Sequence, residues 1–423
     1  MRVSQAKSRE AAGGLSLAAG LLTGLIVVPK LLFQAGMDFT AAYMAMGAMT
    51  VLASVWLAFR ELPVIAMPSV SMAAWLAYVV IISKGCSWQE VMGLSAAVSL
   101  AGSLLFRLSE GRGLSEAVPL WLRKFLVIGL GMMLIMQGLV QGRLILASPW
   151  SVTMVGNFQD PLAYWSLLGL ILGALLLAGR FTWAMGASFL LTAVFAYVEG
   201  FWVLPAAPGL LPEGLEKVFG QAMLCGPWVE SHLGEYFLLG LVMFLAVNAE
   251  SWAVWQALPQ GQGASATVLK GLAGFSFLGA FAGCLPLSLS PLSAVGWTAG
   301  GRRGRTVVVA LCALAVLWFL EPAVAEIASF PAMTVPLLLL AGVDLVRQQL
   351  RDFNPGELAF EAFLPGLTGA ILMALSFDIA AGVGSAVISH VLLSAAAGRR
   401  RETRPAEWGL ALLFLLYFIV GYL

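Results

Sequence analysis

The residues most suited to chemistry sit in one apolar stretch, Val247-Asn248-Ala249-Glu250-Ser251-Trp252-Ala253-Val254-Trp255. It places a carboxyl in the middle of a segment from Tyr236 to Leu258 that is long enough to cross a bilayer. A charge there costs several kcal/mol unless it is paired or used, so Glu250 is the first candidate for binding a polar solute and for carrying a coupled proton. The competing reading is a carboxyl that only ties helices together. A second intramembrane charge, Lys30, follows Val27-Val28-Pro29 in the first apolar block. Its position matches that of Glu250 when the two halves of the chain are aligned, so the two are expected to face each other or one ligand. The alternative is that Lys30 snorkels along its helix toward lipid headgroups.

Two further stretches bring small hydroxyls into apolar runs: Met67-Pro68-Ser69-Val70-Ser71-Met72 and Pro286-Leu287-Ser288-Leu289-Ser290-Pro291-Leu292-Ser293. Proline and serine so placed suit an extended piece followed by a half-helix whose free N–H groups point at a ligand. Ordinary proline kinks relieved by serine back-bonding are the competing reading. The expected substrate-binding set is Glu250, Lys30, Ser69, Ser71, Trp75, Asn248, Ser251, Ser290 and Ser293. Trp75, Trp252, Trp255 and Phe33 are candidates for stacking on a planar solute.

The elements that must position these groups are membrane helices. Of the 423 residues, 60% are hydrophobic and 11% charged, in apolar blocks of roughly twenty, which predicts an all-α integral membrane protein. Seven spans are expected near 12–33, 38–59, 62–82, 88–108, 119–140, 161–179 and 182–204, and seven more near 233–258, 266–285, 288–300, 304–326, 331–346, 358–376 and 379–397. A hydrophobic tail, 405–423, either crosses the bilayer or lies on it. Under this scheme nineteen of the 23 basic residues fall on the side of the N-terminus. Lys84, Arg143 and Lys217 fall on the other side, and Lys30 lies within a span. That bias predicts a cytoplasmic N-terminus in a bacterial inner membrane. An odd number of spans per half makes the halves inverted repeats, 10–140 with 161–204 and 233–397, about fourteen spans in all.

The rest is quieter. The polar start Met1 to Arg9 runs straight into a long span, so no cleaved leader is expected. The four cysteines lack metal spacing; Cys86 and Cys225 are a weak disulfide candidate. No metal, cofactor or nucleic-acid signature is present, and no catalytic pair stands at helical spacing. Residues 109–124 read as an interfacial amphipathic segment.

The chain resembles the nucleobase-cation symporter 2 superfamily, in its azaguanine-type purine permease branch. The stretches that carry the likeness include AGMDFTAAYMAMGAM (35–49), LPVIAMPSVSMAAWLAYVV (62–80), AVPLWLRKFLVIGLGMMLIMQGL (117–139) and PAMTVPLLLLAGV (331–343). The resemblance implies seven plus seven inverted spans, a core domain (12–108 plus 233–326), a gate domain (119–204 plus 331–397), elevator-like movement and a homodimer. Glu250 matches the family's acid in the eighth span. Leu292 stands where a second acid is usual, and Ser69-Val70-Ser71-Met72-Ala73 replaces the family's Gly-Met-Gly-Leu-Asn run. GLLTGLIVVPKLL (20–32) and PLSLSPLSAV (286–295) are similar to the sulfate permease family. The expected function is secondary transport of a small polar solute, by family a purine or other nucleobase, with a coupling proton or Na+. The alternative is a small anion such as sulfate or bicarbonate, held by Lys30 and the half-helix N-termini.

Overall fold

A computed structural model describes residues 2–108, 119–148, 150, 153–205, 214–258, 265–351, 359–400 and 403–422. Within them the first half runs α1 (Arg2–Gln34), α2 (Phe39–Phe59), β1 (Ala66–Pro68), α3 (Val70–Trp75), α4 (Trp88–Leu108), α5 (Leu120–Gln141), the hairpin β2 (Ile145–Ala147) and β3 (Thr153–Val155), α6 (Pro161–Ala178) and α7 (Ala184–Val198). The second half runs α8 (Pro227–Ser231), α9 (Leu233–Ala257), α10 (Ser265–Ala282), β4 (Leu287–Leu289), α11 (Ser293–Thr298), α12 (Gly304–Trp318), α13 (Glu321–Ser329), α14 (Val335–Arg351), α15 (Phe360–Ser376), α16 (Ile379–Ala396) and α17 (Pro405–Tyr422). Seven of these helices are each long and apolar enough to cross a membrane, and shorter apolar helices accompany them. The fold is all-α, built from two inverted halves.

The inversion is visible at the centre. β1 and β4 pair antiparallel with Met67 opposite Ser288, and each strand leads into a short helix. Both interruptions expected from Pro and Ser are therefore present. In an apolar interior every strand N–H and C=O needs a partner, and serines supply several, one pair of them at equivalent places in the two halves. Ser54 on α2 accepts from the Ala66 amide at 3.0 Å, and Ser276 on α10 accepts from the Leu287 amide at 2.9 Å. Ser293 takes the Ile65 amide at 3.1 Å and Ser251 the Leu289 amide at 3.2 Å. The Trp297 indole donates to the Pro63 carbonyl.

Around this centre α1 packs on α2, α11 and α12, while α4 packs on α9 and α10. A second group joins α5 to α14 and α15, α15 to α16, and α6 to α7. α5 and α14 cross where side chains would not fit: a Cβ on Gly131 would stand 2.7 Å from the Gly342 carbonyl oxygen, and one on Gly342 2.5 Å from that of Gly131. Small residues let membrane helices meet backbone to backbone.

Several expectations are adjusted. The span expected at 304–326 breaks at Trp318 into α12 and α13. The third span begins only at Val70 and widens into π-helical turns over Leu76–Ser83. The tail is a helix packed along α16 and against α9, with the Tyr417 hydroxyl donating to the Asp378 carboxylate. Of the expected amphipathic segment, residues 109–118 lie outside the described residues. Cys86 and Cys225 are not joined: Cys86 is buried with its thiol on the Glu90 carboxylate, and Cys225 is exposed. Buried Glu90 went unremarked in the sequence, yet it gathers the loop before α9 by accepting from the amides of Ser87, Trp228 and Val229. In the turn before α2, Asp38 caps the Ala41 amide and pairs with Lys217 at 3.0 Å. That amide first, and then the ammonium, hold its carboxyl below the ordinary range.

Removing the hydroxyls that satisfy the strands leaves buried amides bare, at about 1–3 kcal/mol each. Ser54→Ala and Ser276→Ala should each lower the melting temperature of the detergent-purified chain, and the double variant should lower it further.

Candidate binding chamber

Where the two interruptions meet α9 and α5, a chamber of about 300 Å³ opens. One wall comes from the interruptions and α9: Met67, Pro68, Ser69, Val70, Ser71, Ala74, Glu250, Ser288, Ser290, Pro291 and Leu292. The other comes from α5, through Met133, Leu134, Gln137, Val140 and Gln141, and is completed by Phe377.

Strand periodicity explains which serines arrive there. Successive side chains on an extended segment point to opposite faces, so Leu287 and Leu289 are buried in the core while Ser288 and Ser290 line the chamber. Glu250 is buried, and the hydroxyls of Ser69 and Ser288 reach its carboxyl. Ser69 also caps α3 and stands 2.9 Å from the Ser71 hydroxyl, and Ser288 donates to the Met67 carbonyl at 3.3 Å. The result is one carboxyl in a cradle of hydroxyls, facing amide and aromatic groups across a mostly apolar space. That arrangement suits a neutral, planar, hydrogen-bonding solute.

Of the residues singled out in the sequence, Glu250, Ser69, Ser71 and Ser290 come together here. Ser251 and Ser293 do not line the chamber; they hold the strands. Trp75 is partly buried against the core, outside the wall. Asn248 donates to the Phe244 carbonyl one turn back on its own helix and faces two other clefts. Trp252 lines a cleft beside α17, Trp255 is packed in the core, and Phe33 is 62% exposed.

Lys30 is exposed on α1, interacts electrostatically with Glu321, and is absent from the chamber wall. The structure therefore does not bring Lys30 to Glu250. The reason is helix phase. Val28 is buried, and two residues on at 3.6 per turn the side chain points to the opposite face.

Four polar or aromatic lining residues, Ser288, Gln137, Gln141 and Phe377, were not among the expected site residues. Ser288 was discoverable from the two-residue alternation in Leu-Ser-Leu-Ser. Gln137 and Gln141 were discoverable as two amides four apart in an apolar span. Phe377 carries no comparable signal. It ends α15 with φ +54°, a left-handed backbone uncommon outside glycine, before Asp378 caps α16 by accepting from the Ala380 and Ala381 amides.

No protein-family model matches the chain. Among curated proteins, the guanine/hypoxanthine permease PbuO of Bacillus subtilis is 26% identical over 97% of both chains. The adenine permease AdeP of Escherichia coli is 26% identical over 95% of this chain and 92% of its own length. The chain is similar to nucleobase permeases over nearly its whole length. The proteins it matches are named permeases. Among solved structures, the transmembrane domain of a cyanobacterial bicarbonate transporter, BicA, superposes with a TM-score of 0.54 at 16% identity, covering 89% of this chain and 97% of that one. That likeness speaks for the fold alone.

Accessibility separates the two groups of serines. With the native cysteines replaced, a small water-soluble methanethiosulfonate should modify Ser71→Cys and Ser290→Cys and spare Ser251→Cys and Ser293→Cys. Equal modification of all four contradicts this placement.

Proposed function

We propose that the chain is a secondary active permease for purine nucleobases, driven by proton symport through Glu250. The observation that carries this reading is the cradle itself: a buried carboxyl met by Ser69 and Ser288, in a chamber of about 300 Å³ whose wall includes an aromatic ring and two amides. A purine offers ring N–H groups to the carboxyl, further donors and acceptors to hydroxyls and amides, and a flat face to Phe377. The permease relatives, whose names give guanine, hypoxanthine and adenine as cargo, support the same solute class.

The two packing groups correspond to a core domain that carries Glu250 and the interruptions and a gate domain that carries α5 and Phe377. Cargo held between them would be released as the core slides against the gate. In this reading the protein sits in a bacterial cytoplasmic membrane with its N-terminus inside and works as a homodimer. A coupling proton is the simplest choice, because among the described residues the chamber wall contains a single carboxyl that one proton neutralises. The small-anion alternative keeps only one of its two supports: the half-helix N-termini remain, but Lys30 lies elsewhere and none of the described lining residues is basic.

In proteoliposomes with an inward proton gradient, uptake of radiolabelled hypoxanthine, guanine or adenine should exceed that of sulfate and bicarbonate. Glu250→Gln should reduce gradient-driven accumulation at least about tenfold, the loss expected when one charge-assisted contact disappears. Lys30→Ala should transport like the parent. Uptake of sulfate or bicarbonate without purine uptake, or a Glu250→Gln protein as active as the parent, would falsify this reading.

A further inference from the structure

We propose that Gln137 and Gln141 are the specificity-determining residues of the chamber, and that they admit both 6-oxopurines and 6-aminopurines. The inference rests on the purine reading above and assigns a part of the site that reading leaves open. The two residues stand four apart on α5, hence on one face of the helix, and both line the chamber. The Gln141 amide oxygen is buried with no hydrogen-bond partner among the described residues. Buried polar atoms are ordinarily paired, so an unpaired acceptor on a chamber wall is a natural place for a ligand donor.

The chemistry of the two walls differs. The wall with Glu250, Ser69 and Ser288 presents a carboxyl, an acceptor when ionised, with hydroxyls around it. It suits an imidazole N–H, which every purine carries. The six-membered ring then points toward α5.

There the purines differ. Hypoxanthine and guanine show N1–H beside C6=O, and adenine shows an unprotonated N1 beside its 6-amino group. A carboxamide has an acceptor oxygen and a donor nitrogen side by side. In one orientation its oxygen takes N1–H while its nitrogen donates to O6. Turned by half a rotation, its oxygen takes the 6-amino hydrogen while its nitrogen donates to N1. A carboxylate in the same place can only accept. It would oppose O6 of hypoxanthine and N1 of adenine, but it would suit guanine, whose N1–H and 2-amino group are adjacent donors.

The test is equilibrium binding of hypoxanthine, guanine and adenine to the purified full chain in lipid nanodiscs. The parent should bind hypoxanthine and adenine with affinities within about tenfold of each other, since each makes the same number of hydrogen bonds to the amides. Gln141→Glu should raise the preference for guanine over both by roughly tenfold or more, and Gln137→Glu should move it in the same direction. Gln141→Leu should weaken all three by about tenfold, at a melting temperature close to the parent's. The Glu variants keep the test independent of folding, because a misfolded protein loses all binding and cannot reorder its ligands. Parent-like ratios among the three bases in both Glu variants overturn the proposal and leave the purine reading standing. Absence of binding of any purine by the parent overturns both.

Discussion

An interrupted helix in an apolar interior leaves backbone amides and carbonyls without partners, and the rest of this structure follows from how that debt is settled. The two interruptions settle it against each other, as β1 on β4, and against hydroxyls of neighbouring helices: Ser54 and Ser276 at equivalent places in the two halves, and Ser251 and Ser293, both from the second half. Water could do none of this at such a depth. Because the strands are held by side chains on α2, α9, α10 and α11, those helices are fixed relative to one another. What faces the chamber at the crossing is a set of hydroxyls, and those of Ser69 and Ser288 reach Glu250.

The same constraint gives the site its two-sided character. The carboxyl and hydroxyls belong to elements locked together by the strand pair, whereas Gln137 and Gln141 belong to α5, which packs on α14 through the Gly131–Gly342 contact and on α15, whose end carries Phe377. A solute in the chamber touches both sets. In the reading proposed here, binding assembles a contact between two groups of helices, and a sliding motion breaks that contact on the far side.

Much of this arrangement was legible in the sequence because its strongest signals are costly ones. A carboxyl amid twenty apolar residues and two Pro-Ser interruptions at matching places in the halves are expensive in lipid, and both mark the chamber. The assignments that depended on direction were less secure. Ser251 and Ser293 lie within the right segments, but one turn of helix points them at backbone instead of solute. Lys30 aligns with Glu250 along the chain, yet helix phase turns it to the outer surface, where Glu321 is near. Gln137 and Gln141 cost less than a charge and lie in a span with no interruption, so nothing in their neighbourhood singles them out until α5 is seen against the crossing.

The central claim is that one solute sits between the Glu250 cradle and the α5 amides. An electron cryomicroscopy structure of the protein in nanodiscs with saturating hypoxanthine tests it most directly. The account predicts planar density in the chamber, with one edge at Glu250 and Ser69 and the other at Gln141. Density for the base elsewhere, or a Glu250 carboxylate turned to lipid while the chamber stays empty, would contradict it.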